Sequence, residues 1–239
     1  MKSQVSEEEK RIRVMKVIAL LEKEFPSSKI ALNYSSPLEL LVATILSAQT
    51  TDERVNIVTK SLFKKYRTAQ EFADSNLTEL EQDIRSTGFY RNKAKNIKKT
   101  GEMLVQKFNS KVPETMDEIL ELPGVARKTG NIVLQNAYGV VEGIAVDTHV
   151  RRVSARLGLT TNKNQDRIEQ DLMRIVPKEK WMRITDLFIF LGRKICKARN
   201  PKCEICVLNK ICPSAFTFGK PANIAFGRKT GRLTIDKKH

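Results

Sequence analysis

The sequence predicts an all-α protein, and three observations carry that expectation. Apolar residues recur at helical spacing along the chain, helix-start signatures stand ahead of them, and alternating β-branched runs between turn dipeptides are nearly absent. Val14, Val17, Ile18 and Leu21 fall at i, i+3, i+4 and i+7, so an amphipathic helix is expected near the N-terminus. Ser36-Pro37-Leu38-Glu39 supplies a cap, a proline at the first helical position and a box-closing glutamate ahead of the apolar run Leu40 to Leu46. Thr50 with Glu53, Thr78 with Glu81, and Thr115 with Glu118 repeat the capping-box pattern. Gly88, Gly139 and Gly158 follow helical segments where a left-handed stop is expected. Ile168, Leu172 and Ile175, then Trp181, Ile184, Leu187, Phe188 and Leu191, read as core stripes of later helices, the last running straight into Cys196.

The chain has 239 residues, enough to bury a core without covalent staples, in one domain or two closely packed lobes. Its first 13 residues are highly charged, and no apolar run reaches the roughly 20 residues of a membrane span, so a soluble, unexported, cytoplasmic protein is expected. Lys and Arg number 43 against 27 acids, a formal charge of +16, which suits an anionic polymer as partner. After Phe216 the helical pattern ends in a basic segment with one acid, Asp236, so residues 215–239 are expected to form a flexible basic tail.

All four cysteines lie in one short stretch, Cys196, Cys203, Cys206 and Cys212, spaced C-x6-C-x2-C-x5-C. Four thiolates from one loop suit a soft metal centre, either a structural zinc or an iron–sulfur cluster, and the residues alone do not separate the two. A disulfide framework fits less well in a chain of this length without a secretory leader.

Two further segments carry chemistry. Leu122-Pro123-Gly124-Val125-Ala126-Arg127-Lys128-Thr129-Gly130 reads as a tight turn opening onto a helix, where outward N–H groups and a helix N-terminus can meet a phosphate; a plain helix–turn–helix corner is the alternative. Val146-Asp147-Thr148-His149-Val150 precedes another helix, with Asp147 placed to cap its free N–H groups.

The proline–glycine hairpin with its lysine, the V-D-T-H-V segment and the cysteine spacing together resemble the endonuclease III branch of the helix-hairpin-helix DNA glycosylases, over roughly residues 10 to 214. Leu46 to Asp52 and Gly88 to Ala94 also resemble DNA-contacting stretches of that family. The resemblance implies a [4Fe–4S] cluster on Cys196, Cys203, Cys206 and Cys212, with a structural role. It implies a six-helix lobe at residues 31–140 and a second lobe joining residues 1–30 to 141–214, with damaged or abasic duplex DNA bound by a monomer across the cleft between them. Lys128 would be the nucleophile, attacking C1′ to form a Schiff base and nicking by β-elimination, and Asp147 the carboxylate that supports positive character on the sugar.

Gln49 would fill the gap left by the extruded nucleotide and Phe89 wedge the opposite strand, the alternatives being a solvated helix end for Gln49 and core packing beside Gly88 for Phe89. Gly124, Ala126 and Arg127 of the hairpin, His149, and Lys197, Arg199 and Lys202 of the cysteine loop would contact DNA. Ala126 stands where a second hairpin glycine is common in the family, and Gly130 where alanine is common. The implied function is a bifunctional glycosylase and AP lyase of base excision repair acting on oxidised pyrimidines. A monofunctional mismatch glycosylase and a DNA-binding iron–sulfur redox protein remain open as alternatives.

Overall fold

The computed structural model describes residues 6–217, and among these residues every regular element is helical. The basic tail expectation therefore lies, from residue 218 on, outside the described residues. In chain order the helices are α1 Glu7–Glu24, α2 Pro37–Leu46, α3 Asp52–Lys65, α4 Ala69–Ala73, α5 Leu77–Asp83 and α6 Tyr90–Lys107. They continue as α7 Met116–Ile119, α8 Arg127–Val133, α9 Thr148–Arg156, α10 Gln165–Ile175 and α11 Trp181–Lys194. A turn of π-helix, Leu134–Tyr138, extends α8 and stops at Gly139, whose φ of 70° satisfies the left-handed stop.

Most helix starts follow local side-chain chemistry. Ser6 and Glu9 form a reciprocal capping box on α1, and Ser36 caps α2 by accepting from the Glu39 N–H ahead of Pro37-led residues. Thr115 caps α7 as expected. Two of the expected boxes are displaced. Thr51, one residue later than Thr50, caps α3, and Asn76 rather than Thr78 caps α5 by accepting from the N–H groups of Thr78 and Glu79. In each case a better-placed oxygen one or two residues away takes the position. Gly88 is also not the left-handed residue expected; Phe89 beside it adopts φ 57°.

The buried apolar side chains fall into two clusters. The first runs from Leu32 to Leu134 around α2, of which every residue from Leu40 to Leu46 is buried, which explains its unbroken apolar sequence. The second joins Val14, Val17, Ile18 and Leu21 of α1 to Ile144, Val146 and the inner faces of α9, α10 and α11. Thus the N-terminal helix packs with the C-terminal half of the chain.

Polar links join the two clusters. Glu169 on α10, only 4% exposed, accepts from Arg127 Nε at 2.9 Å and from Asn131 Nδ2 at 2.8 Å, both on α8. Arg193 on α11 pairs with Asp52 at the start of α3 at 2.6 Å. Gly143 lies against the first link, where an added Cβ would stand 1.9 Å from Glu169 Oε1.

A buried carboxylate removed from its partners leaves their donors unsatisfied, at about 3–5 kcal/mol when the pair is fully buried. Arg127 keeps partial solvent access, so Glu169→Ala is expected to lower unfolding free energy by about 2–3 kcal/mol in urea melts. A loss under about 0.5 kcal/mol would show that this link does not hold the clusters together.

Candidate functional site

The proline–glycine turn is set by two constraints at Gly124. Its φ is 80°, and an added Cβ would lie 2.6 Å from Asn96 Nδ2 on α6, so neither conformation nor space admits a side chain. Thr100 on α6 donates to the Pro123 carbonyl at 3.0 Å, and the Val125 N–H closes the turn onto the Leu122 carbonyl at 3.1 Å. Behind the turn, Gly130 lets α8 rest on α7, where a Cβ would meet Met116 Sδ at 2.9 Å and Ile119 Cγ2 at 3.1 Å. Gly130 thus costs helix propensity but permits a close crossing.

Ala126 is the exposed N-cap of α8 and offers no side-chain cap, so the first N–H groups of the helix are left facing outward. That arrangement favours an anion. Lys128, at the second helical position, is partly exposed, and its Nζ has no hydrogen bond or ion pair among the described residues. The neighbouring Arg127 differs, since its guanidinium is held by Glu169 and its charge is largely compensated there.

Asp147 caps α9 with one oxygen. Oδ1 accepts from the N–H groups of His149 at 2.8 Å and Val150 at 2.7 Å, while Oδ2 has no hydrogen-bond partner among the described residues. The capping role found from sequence and a chemical role are therefore compatible in one side chain. His149 packs against Gly192 of α11, and its Nδ1 meets Arg152 Nη2 at 3.0 Å. Burial first, and then the neighbouring Arg152 and Arg193 charges against the opposing pull of Asp147, leave its imidazole more acidic than usual.

The cysteines sit half-buried and unbridged around one cavity, which also takes in Arg156, Ile195, Pro201 and Asn209. Tetrahedral zinc would need sulfurs about 3.8 Å apart, following from Zn–S bonds of about 2.3 Å. Four free thiols on one shared cavity are a soft donor set, and such a set fits an iron–sulfur cluster.

Burial raises the Cys206 and Cys212 thiols, so cluster binding displaces protons there. Helix α9 grips this loop: Arg156 donates to Cys196 Sγ at 3.2 Å and to the Lys197 and Ala198 carbonyls, and Arg152 donates to the Cys196 carbonyl at 3.0 Å. Lys197, Arg199 and Lys202 stand exposed on the same loop.

Gln49 and Phe89 are brought together by paired turns, each in the left-handed region at φ 54° and 57°. Phe89 is 64% exposed and does not pack in the core. The Gly88 N–H donates to Thr50 Oγ1 at 3.1 Å, which stitches the two turns to each other. Sequence reasoning missed two residues here. Glu169 gave no signal beyond a charged residue in a helical pattern. Lys93, 5% exposed, donates to the Leu46 carbonyl at 2.7 Å and to Thr50 Oγ1 at 2.9 Å without a carboxylate partner, and burial lowers its pKa to about 8. Among 43 basic residues nothing marked it out.

Comparison with known proteins agrees with this geometry. A family model described as HhH-GPD superfamily base excision DNA repair protein matches residues 42–178, and one for the iron–sulfur binding domain of endonuclease III matches residues 196–212. With these matches a [4Fe–4S] cluster belongs to this chain, and all four cysteines lie within the matched residues 196–212. Endonuclease III of Synechocystis sp. is 48% identical over 206 residues, 86% of this chain and 94% of that protein. The Bacillus subtilis endonuclease III is 49% identical over 189 residues, 79% of this chain and 86% of that protein.

A solved structure of a trapped endonuclease III–DNA covalent intermediate superposes with a TM-score of 0.83 at 47% identity, covering 86% of this chain and 96% of that one. A thermostable thymine-DNA glycosylase shares the fold, with a TM-score of 0.75 at 24% identity over 84% of this chain and 96% of that one. The all-α architecture, the hairpin helix and the cluster loop thus place the chain in the HhH-GPD superfamily of base excision DNA repair proteins and, within it, in the endonuclease III family.

Proposed function

We propose that this protein is a bifunctional DNA glycosylase and AP lyase that removes oxidised pyrimidines from duplex DNA, working as a monomer on cytoplasmic, nucleoid DNA. The observation that carries the reading is that the chain has both a lysine at the hairpin helix whose Nζ is unengaged among the described residues and a carboxylate that caps α9 through one oxygen only. The covalent protein–DNA species captured for a 47% identical relative supports the same chemistry. Among the described residues no helix is long and apolar enough to cross a membrane.

The chemistry follows from these groups. The C1′–N bond breaks as the base departs, with its electron pair and then a proton, while Asp147 Oδ2 offsets positive character on the sugar. The Lys128 amine forms a new N–C1′ bond, and ring opening gives a Schiff base. Loss of a C2′ proton expels the 3′-phosphate, and water then hydrolyses the imine to free Lys128. Cys196, Cys203, Cys206 and Cys212 would hold the [4Fe–4S] cluster, which would fix the basic loop and, through the Arg152 and Arg156 bonds to it, helix α9. Gln49, Phe89, the hairpin N–H groups of Gly124 and Ala126, His149 and the loop cations Lys197, Arg199 and Lys202 contact DNA, with Arg127 contributing backbone and position rather than a free charge.

The decisive experiment incubates the protein with duplex DNA bearing thymine glycol or an abasic site, adds borohydride, and looks for a covalent complex together with strand nicking. Trapping on both substrates is the expected outcome. Nicking of abasic DNA alone would transfer the assignment to another base, and no reaction on either would favour a binding-only role.

Three variants sharpen the reading. Lys128→Ala is expected to abolish trapping with DNA affinity within about threefold of wild type, because its Nζ makes no hydrogen bond or ion pair among the described residues; retained trapping would overturn the nucleophile. Asn caps as well as Asp, so Asp147→Asn should keep the melting temperature within about 2 °C yet slow excision by about 10²-fold or more. An unchanged rate would restrict Asp147 to capping. Arg156→Ala should weaken cluster retention, read as faster bleaching of the visible absorbance under chelator and oxidant, with no bleaching difference as the contrary result.

A further inference from the structure

We infer that Lys93 is a positioning residue for DNA opening: its buried ammonium ties the end of α2 to the turn at Thr50, holding the left-handed turns of Gln49 and Phe89 ready before DNA arrives. This rests on the proposed glycosylase reading and deepens it.

The two turns are set against chain preference. Gln49 and Phe89 are not glycines, yet both have positive φ, at about 1–2 kcal/mol each. Neither side chain can hold its own turn, since Phe89 is largely solvent-exposed and makes no side-chain cap on α6. The restraint comes from below. Thr50 Oγ1 is shared: it accepts from Lys93 Nζ and from the Gly88 N–H, and donates to the Ala48 carbonyl.

Lys93 also donates to the carbonyl of Leu46, the last residue of α2, where a cation complements the helix dipole. Its own N–H bonds the Phe89 carbonyl at 3.1 Å, so one residue touches both turns. Gly88 completes the fit, because an added Cβ would stand 3.1 Å from the Gln49 carbonyl.

A buried lysine without a carboxylate is a poor choice for stability alone. An apolar side chain of similar length would fill the space without a desolvated charge. What the ammonium supplies is direction: two oxygens from one stretch, Leu46 and Thr50, are drawn to one point, which fixes the span of residues 46–50 that carries Gln49. A wedge ordered in advance spares the ordering entropy that would otherwise be charged when a base is extruded.

The test separates wedge order from general support. Single-turnover excision of thymine glycol is measured in a fully paired duplex and in the same sequence with the lesion inside a five-nucleotide bubble, where little opening remains to be done. Lys93→Met is expected to slow the paired substrate about tenfold and the bubble substrate less than twofold, with unchanged affinity for undamaged duplex. Thr50→Val removes the shared acceptor and should show the same split. The double variant should be no slower than the worse single one, as members of one unit behave.

Equal losses on both substrates would reduce Lys93 to structural support, and no loss on either would remove it from the reaction. If Lys93→Met fails to fold, Thr50→Val alone decides between these outcomes. Wild-type activity on the fully paired substrate checks the underlying reading independently, since its absence would defeat the glycosylase assignment whatever the variants do.

Discussion

Glu169 is the carboxylate on which the relation between the two packed clusters depends. Lys128 rises from a helix whose apolar face belongs to the first cluster, and Asp147 begins a helix whose apolar face belongs to the second. Under the proposed chemistry the two separately packed bodies present groups to one sugar, which needs a link stiffer than a surface ion pair, worth at most about 1 kcal/mol. Glu169 meets that need by burial and by using both oxygens, one on Arg127 and one on Asn131, a turn apart on the same face of α8. The geometry fixes both the distance and the rotation of the hairpin helix against α10. Among the described residues Asn131 Oδ1 is buried without a hydrogen-bond partner, a cost the arrangement carries.

The same economy appears on the other side. Helix α9 begins at Asp147 and ends in Arg156, so the carboxylate at one end and the cluster loop at the other are joined by a nine-residue rod. Arg152 and Arg156 satisfy loop carbonyls that have no helical partner, which lets the cluster set where the helix lies. In the proposed reaction a cluster held by this loop would act through α9, by fixing where Asp147 Oδ2 points. That role needs no change in cluster charge.

The fold class, the hairpin, the cysteine loop and the cap at Asp147 were legible in the sequence because each follows from local rules: periodicity, turn chemistry, spacing and capping. Errors arose where two local rules competed. Thr50 and Thr51 can both cap a helix, although only Thr50 has a glutamate three residues on, and what decides between them is that Thr50 is engaged by Lys93 and Gly88, about 40 residues away. Phe89 took the left-handed position expected of Gly88, because Gly88 is needed for close approach to Gln49 rather than for its φ. Glu169 and Lys93 were invisible for a related reason. Each is an ordinary charged residue in a helical pattern until long-range packing removes water from it.

These hidden residues share a property that bears on how the site works. Both are charged groups retained in interiors where uncharged ones would cost less, and both hold together segments distant in sequence. Apolar packing is non-directional, so it determines that α8 and α10, or α2 and α6, lie close but only loosely how they are aligned. Charged hydrogen bonds are short and directional, and they convert proximity into alignment. In this chain they occur where the proposed chemistry needs alignment, beside the nucleophile and beneath the wedge. The stability they cost is thus placed where misalignment would cost rate.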